Sequence, residues 1–137
     1  VVGPPVAPAA RPLWFVFLVP PSLVYVGMPM LTGAPAGLAL EALLYLSLLL
    51  LAALIVASRD VGRWPFGPAW WAFTFPLDAI AGAVARYASV YPSIWTRALA
   101  LLMLSAAFVV VTLVLARTLA ALARGSLGVP VPATRSE

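Results

Sequence analysis

The sequence has 137 residues, 64% of them hydrophobic and only 9% charged, with a net charge of +4 and neither histidine nor cysteine. Because a soluble domain has roughly 25% charged residues, this composition indicates an integral membrane protein. The missing histidine and cysteine exclude disulfides, iron–sulfur clusters, the usual haem ligands and nearly all zinc sites. We therefore expect no cofactor, no metal and no enzymatic activity. The arginines do not form a basic face, which argues against binding to nucleic acid.

Four apolar runs predict membrane spans at residues 13–31, 38–57, 69–88 and 98–122. Each has about 20 residues, enough to cross a hydrocarbon layer of about 30 Å. The chain starts with Val1 and lacks the features of a signal peptide, so we expect residues 1–12 to be a loop that leads into the first span of a longer protein. The polar, proline-containing residues 125–137 predict a disordered tail.

Prolines divide these spans into two kinds. Pro20 and Pro21 lie inside the first span and Pro76 lies inside the third, whereas the second and fourth spans contain no proline. Each proline removes a helical hydrogen bond and bends its helix. The sequence therefore predicts an all-α membrane fold of two hairpins, each with a kinked helix followed by a straight one. We expect the kinked helices to line a cavity, and the straight helices to face lipid or pack behind them.

The arginines predict the orientation in the membrane. If the spans alternate in direction, only Arg86 and Arg97 fall on one side. The other side receives Arg11, Arg59, Arg63, Arg117, Arg124 and Arg135. Because loops on the cytoplasmic side carry an excess of positive charge, we expect both ends and the central loop to be cytoplasmic.

The third span carries the candidate functional residues. At about 100° per residue, four side chains lie within about 60° of Phe75 on a helical projection. They are Asp78, Ala79, Gly82 and Arg86. This face favours a pore lining, in which Phe75 is a hydrophobic gate and the two small residues form the lumen. The two charged residues would then modulate the electrostatics of the pore.

A purely structural role fits the same face of the third span equally well. Phe75 can pack into neighbouring helices, and Gly82 permits a close helix approach. A carboxylate at mid-membrane costs about 2.5–3.5 kcal/mol on insertion scales, so we expect Asp78 to face a cavity or a partner. The partner is Arg86, two turns away, or an arginine of another helix. A structural ion pair or a protonated acid held by hydrogen bonds is an equal alternative.

The string WWAFTFPL at residues 70–77 resembles the signature of the TehA-like family of tellurite-resistance and C4-dicarboxylate (malate) transporters. That family includes the slow anion channels of plant guard cells. RPL at residues 11–13 and PPS at residues 20–22 resemble the start of the family's seventh helix. Residues 93–119 resemble its tenth helix.

The resemblance implies a ten-helix fold of five hairpins, in which the kinked odd-numbered helices ring a pore and the even-numbered helices form an outer layer. This chain would supply helices seven to ten, with the preceding helices and two further copies completing a homotrimer in the lipid bilayer. The phenylalanine that occludes the family's pore falls on Phe75. The implied substrates are small anions such as chloride, nitrate, sulfite, malate or tellurite. The implied location is the plasma membrane, the inner membrane of a bacterium.

Two departures from the family pattern stand out. Asp78 occupies a position that is usually small or uncharged, and it would repel an anion unless it were protonated or paired with Arg86. Two hairpins cannot close a pore of five, so we do not expect this chain to conduct alone. The alternative function is a non-transporting, four-helix accessory or scaffold subunit of a larger membrane complex.

Overall fold

The computed structural model describes residues 8–33, 35 and 37–125. Of the tail expected at residues 125–137, only Gly125 is among the described residues. The first seven residues of the expected N-terminal loop also lie outside the described part. The described part is helical without strands, which confirms the all-α fold. Its four α-helices are α1 (Val19–Thr32), α2 (Leu38–Ala57), α3 (Thr74–Val90) and α4 (Ile94–Ala123). Its three 3₁₀ helices are Pro8–Leu18, Val61–Arg63 and Pro68–Phe73.

The two spans that contain prolines each change helix type just before those prolines. The 3₁₀ helix Pro8–Leu18 runs directly into α1, whose first turn contains Pro20 and Pro21. In the same way, Pro68–Phe73 runs into α3, where Pro76 is also in the first turn. Because proline has no amide hydrogen, the α-helical hydrogen bond to the fourth preceding residue is not made at these positions. The prolines at which we expect the bends therefore lie directly after the junctions between 3₁₀ and α-helix.

The two spans without proline are continuous helices of 20 and 30 residues. The start of α4 is fixed by a capping box, in which the hydroxyl of Ser93 accepts from the amide of Thr96 at 3.1 Å. In return, the hydroxyl of Thr96 accepts from the amide of Ser93 at 2.9 Å. Such a cap contributes about 1 kcal/mol and places the helix start directly after the turn at Pro92.

Helix α3 is the central element of the described part. It packs against α1, α4 and the 3₁₀ helices Pro8–Leu18 and Pro68–Phe73, and it touches α2 less extensively. Its packed side is made of Ile80, Ala83 and Val84, each at most 1% exposed. The small side chains on this helix allow its neighbours to approach closely. In the same described part, α2 and α4 do not contact each other.

An aromatic cluster joins the first span to the central loop. The ring of Phe73 lies 4.6 Å from that of Phe15 and 6.2 Å from that of Trp64, between centroids. Arg11 extends this cluster, because its guanidinium lies 5.7 Å from the Trp64 ring and forms a 2.9 Å salt bridge with Asp60. These contacts hold the start of the first span against the loop that precedes α3.

Three stretches of the described part are long and apolar enough to cross a membrane: Arg11–Thr32, Leu38–Ala57 and Ile94–Ala123. The third expected span, residues 69–88, falls on Pro68–Phe73 and α3 and is not among them. Only 17% of α2 and 11% of α4 are buried over their most apolar windows, so most of their surface is free to face lipid.

Serine hydroxyls link the two helices of the first hairpin. The hydroxyl of Ser22 on α1 donates to that of Ser47 on α2 at 3.2 Å, and both residues are fully buried. The hydroxyl of Ser47 in turn donates to the carbonyl of Leu43, one helical turn earlier, at 2.9 Å. The pair therefore leaves neither hydroxyl unpaired between the two helices.

Candidate functional site

One face of the third span remains open along its whole length. Its exposed residues, which we call the open face, recur every three or four positions: Trp71, Phe75, Asp78, Gly82, Ala85 and Ser89. This spacing places them on one side of a helix, opposite the packed side. Among the described helices, the most closely surrounded one therefore still carries a row of exposed residues along one side.

Phe75 lies in a cavity of about 460 Å³ between α3 and α4. Its side chain is 57% exposed, although it is a large aromatic residue on the central helix. The opposite wall of this cavity is formed by α4, through Leu104, Ala107, Phe108 and Val111. At one end, the indole of Trp71 donates to the hydroxyl of Thr118 on α4 at 3.2 Å. We call this space the Phe75 cavity.

Asp78 is exposed and lines the same cavity, one turn along α3 from Phe75. Among the described residues it makes no salt bridge and no hydrogen bond, so the expected pairing with Arg86 does not form. The reason is geometric, since eight residues of α-helix separate the two by about 12 Å along the axis. The carboxylate is therefore directed to open space beside the aromatic ring.

The two residues expected to form a lumen differ in their environment. Gly82 is on the open face, and a side-chain carbon added there would meet no atom within 4 Å. Ala79, by contrast, is only 9% exposed and lies toward the packed side. The structure thus brings Phe75, Asp78 and Gly82 onto one surface and leaves Ala79 off it.

Arg86 belongs to a second polar group, at the end of α3 away from the Phe75 cavity. Its Nε is buried and has no hydrogen-bond partner among the described residues. The hydroxyl of Tyr25 on α1 is also buried without a hydrogen-bond partner among the described residues, and Tyr25 is 0% exposed. Tyr25 is within electrostatic range of both Arg86 and Glu41. Two unpaired donors in one region, a guanidinium and a hydroxyl, are groups that a small anion or a water molecule would satisfy.

Two further hydrogen bonds, one between tyrosines and one between a tyrosine and Glu41, involve residues at the same end of α3. The hydroxyls of Tyr45 on α2 and Tyr87 on α3 are 3.0 Å apart. The hydroxyl of Tyr91 donates to the carboxylate of Glu41. This hydrogen bond, together with the negative charge of Glu41, raises the pKa of Tyr91 above its ordinary value of 10.0. We call these six residues the tyrosine cluster: Tyr25, Glu41, Tyr45, Arg86, Tyr87 and Tyr91.

The sequence did not predict the tyrosine cluster. Glu41 is close to the start of its span, a position that by itself indicates only exposure at the membrane interface. The available signal was that Glu41 at the start of the second span and Tyr91 after the third lie at the same membrane face when spans alternate. The salt bridge between Arg11 and Asp60 was missed for a similar reason, since it joins residues 49 positions apart.

Comparison with known proteins identifies relatives of this chain. The profile of the SLAC1 family, described as voltage-dependent anion channels, matches residues 1–119. The S-type anion channel SLAH2 of Arabidopsis thaliana is 29% identical over 108 residues, which are 79% of this chain and 21% of that protein. The S-type anion channel SLAH3 of the same plant is 28% identical over 109 residues, 80% of this chain and 17% of that protein. The chain thus spans about a fifth of the length of these relatives. No solved structure matches it.

Proposed function

Because the chain belongs to the SLAC1 family of voltage-dependent anion channels, we propose that it forms the C-terminal part of an anion channel or transporter whose pore is lined by α3. The family membership confirms the resemblance seen at residues 70–77, and the apolar helices confirm a membrane protein. Transport of small inorganic or dicarboxylate anions, assembly as a homotrimer and cytoplasmic ends in the plasma membrane are parts of this proposal.

One observation carries the proposal, the position of Phe75. A phenylalanine on the central helix stays 57% exposed, although α4 forms the opposite wall of its cavity. In a pore, this side chain would close the lumen as a hydrophobic barrier that excludes water and ions. Pro76 follows directly and fixes the backbone at that point, which would hold the ring in position. Pro20 and Pro21 give the first span the same kind of junction.

The charged residues would act at different levels of this pore. Asp78 is beside the barrier and would repel an anion that passes Phe75, which lowers flux. Arg86 is farther along the same helix, where its unpaired Nε would attract anions toward the barrier. Gly82 lies between them and leaves room for the permeant ion. Ala79 supports this face from behind, since it is buried.

The test is the anion conductance of the complete native protein with Phe75→Ala. We expect a severalfold increase in current, because removal of the ring opens the barrier. The matched control is Phe108→Ala, which removes the same side chain from α4 across the same cavity and is 72% exposed. An unchanged current in Phe75→Ala, or an equal rise in both variants, would refute the gate assignment. Purification with stoichiometric unrelated subunits, and without anion current, would favour the scaffold alternative.

A further inference from the structure

A second cavity is located on the other side of α4, between the two straight helices. Because α2 and α4 do not contact each other in the described part, a gap remains between them, with α3 and the 3₁₀ helices at its floor. Its volume is about 390 Å³. One wall is formed by Leu51 and Ile55 of α2, and the other by Ala106, Val110 and Leu113 of α4. We call this space the outer cleft.

The outer cleft has the dimensions and the chemistry of one membrane leaflet. From Met103 to Val114 its α4 wall is about 16 Å long, roughly half of the 30 Å hydrocarbon core. Apart from the hydroxyl of Ser58 at one end, the side chains that line it are apolar, with Trp70 contributing its ring. Both walls belong to helices that present most of their surface outward. Such a groove is accessible to lipid from the side.

Positive charge surrounds the end of the cleft marked by Ser58. Arg59 and Arg63 are exposed in the loop that follows α2. Arg117, one turn beyond Val114 on α4, places its guanidinium 5.5 Å from the ring of Trp70, which lines the cleft. Asp60, the acidic residue of this loop, already forms a 2.9 Å salt bridge with Arg11. An anionic group at this end would therefore lie near Arg117 and beside the loop that carries Arg59 and Arg63, whose residues Ser58 and Val61 line the cleft.

We propose that the outer cleft binds an anionic phospholipid, with one acyl chain between α2 and α4 and the phosphate at Arg117, Arg59 and Arg63. Basic pockets between membrane helices are typical sites for anionic headgroups, and arginine forms strong, charge-assisted hydrogen bonds with phosphate. The ring of Trp70 beside Arg117 lies at the level where an indole is stable, between hydrocarbon and headgroup.

The same charges argue against a second copy of this chain in the cleft. Copies inserted in the same orientation carry their arginines at the same membrane level. A neighbouring copy docked by this surface would therefore bring a further set of arginines toward Arg59, Arg63 and Arg117. Like charges at short range are unfavourable, whereas a phosphate neutralises them.

The experiment measures phospholipid bound to the complete native protein. After delipidation, the protein is incubated with phosphatidylglycerol or phosphatidylcholine of identical acyl chains, and bound lipid is counted by native mass spectrometry. We expect at least fivefold more retained phosphatidylglycerol. Ala106→Trp fills the cleft and should remove most of this binding, whereas Ala116→Trp, on the same helix but outside the cleft, should not. Arg117→Gln should reduce the preference for phosphatidylglycerol severalfold, and Arg97→Gln, at the opposite end of α4, should leave it unchanged.

A second measurement does not depend on a bulky substitution. Phosphatidylglycerol with a photoreactive acyl chain is crosslinked to the unmodified protein, and the labelled peptides are mapped. We expect adducts on α4 between Met103 and Val114, and on α2 near Leu51 and Ile55. Equal binding of both lipids, full binding by Ala106→Trp, or adducts confined to other surfaces would overturn the proposal. A photoreactive residue at position 106 that crosslinked to a neighbouring subunit would also overturn it.

Discussion

Removal of the charge at Asp78 is expected to increase anion flux through the native protein. The carboxylate lines the Phe75 cavity without a salt bridge or hydrogen bond among the described residues. In the proposed pore, an anion that passes the barrier must therefore come close to a negative charge that no cation offsets. Asp78→Asn keeps the shape of the side chain and removes this repulsion.

The size of the effect follows from the separation of the two charges. Asp78 and Phe75 are three residues apart on α3, and side chains with this spacing lie about 5–6 Å from each other. We take this as the distance from the carboxylate to an anion beside Phe75. At about 6 Å, two unit charges repel by about 0.7 kcal/mol in water and about 2.8 kcal/mol at an effective dielectric constant of about 20. Because Asp78 is exposed to an open cavity, solvent screening favours the lower part of this range. We expect a rise in conductance of about threefold to tenfold.

The assay is single-channel or macroscopic anion current at low and high salt, with Asp78→Glu as the control. The glutamate keeps the charge and adds one methylene, so it should conduct like the unmodified protein. The gain in Asp78→Asn should shrink at about 1 M salt, where the Debye length falls to about 3 Å. If the Asn and Glu variants behaved alike, the effect would be steric and the electrostatic reasoning would be refuted.

Two further predictions concern the contacts between helices. Ser22→Ala should lower the free energy of unfolding by about 0.6 kcal/mol, the average for hydrogen bonds between membrane helices, whereas Ser105→Ala on α4 should have no effect. A double-mutant cycle with Ser47→Ala measures this energy, and a coupling of zero would contradict the bond. Tyr91→Phe removes the hydrogen bond to Glu41. Because folding raises the pKa of Tyr91 above 10.0, the stability from this bond is complete below pH 10 and is lost as the pH rises further. The difference in melting temperature between unmodified protein and variant should therefore narrow above pH 10, and a constant difference would rule the bond out.

The positions of the helices could largely be read from the apolar runs. The second expected span, 38–57, coincides with α2. The fourth was expected to begin at residue 98, but α4 begins at Ile94. Hydropathy misses this turn because Thr96 and Arg97 are polar, whereas the capping box formed by Ser93 and Thr96 determines where the helix begins.

The candidate site was less predictable, because it depends on which side of α3 the other helices cover. A helical projection placed Phe75, Asp78, Ala79 and Gly82 on one face, but it cannot tell where the packed side begins. Contacts with neighbouring elements bury Ala79 and leave Gly82 exposed. The tyrosine cluster was beyond reach for the same reason, since Tyr91 meets Glu41 across 50 residues of sequence.

The distribution of polarity among the helices supports the pore proposal independently of the signature at residues 70–77. The two straight helices are highly apolar and present most of their surface outward. Helix α3, which carries Asp78 and Arg86, does not reach the length and hydropathy of a membrane span by itself, and it lies at the centre of the described part. A polar helix is stable inside a membrane only when protein or an aqueous cavity surrounds it. In the proposed pore, a water-filled path along the exposed residues of the open face would account for both the position and the composition of α3.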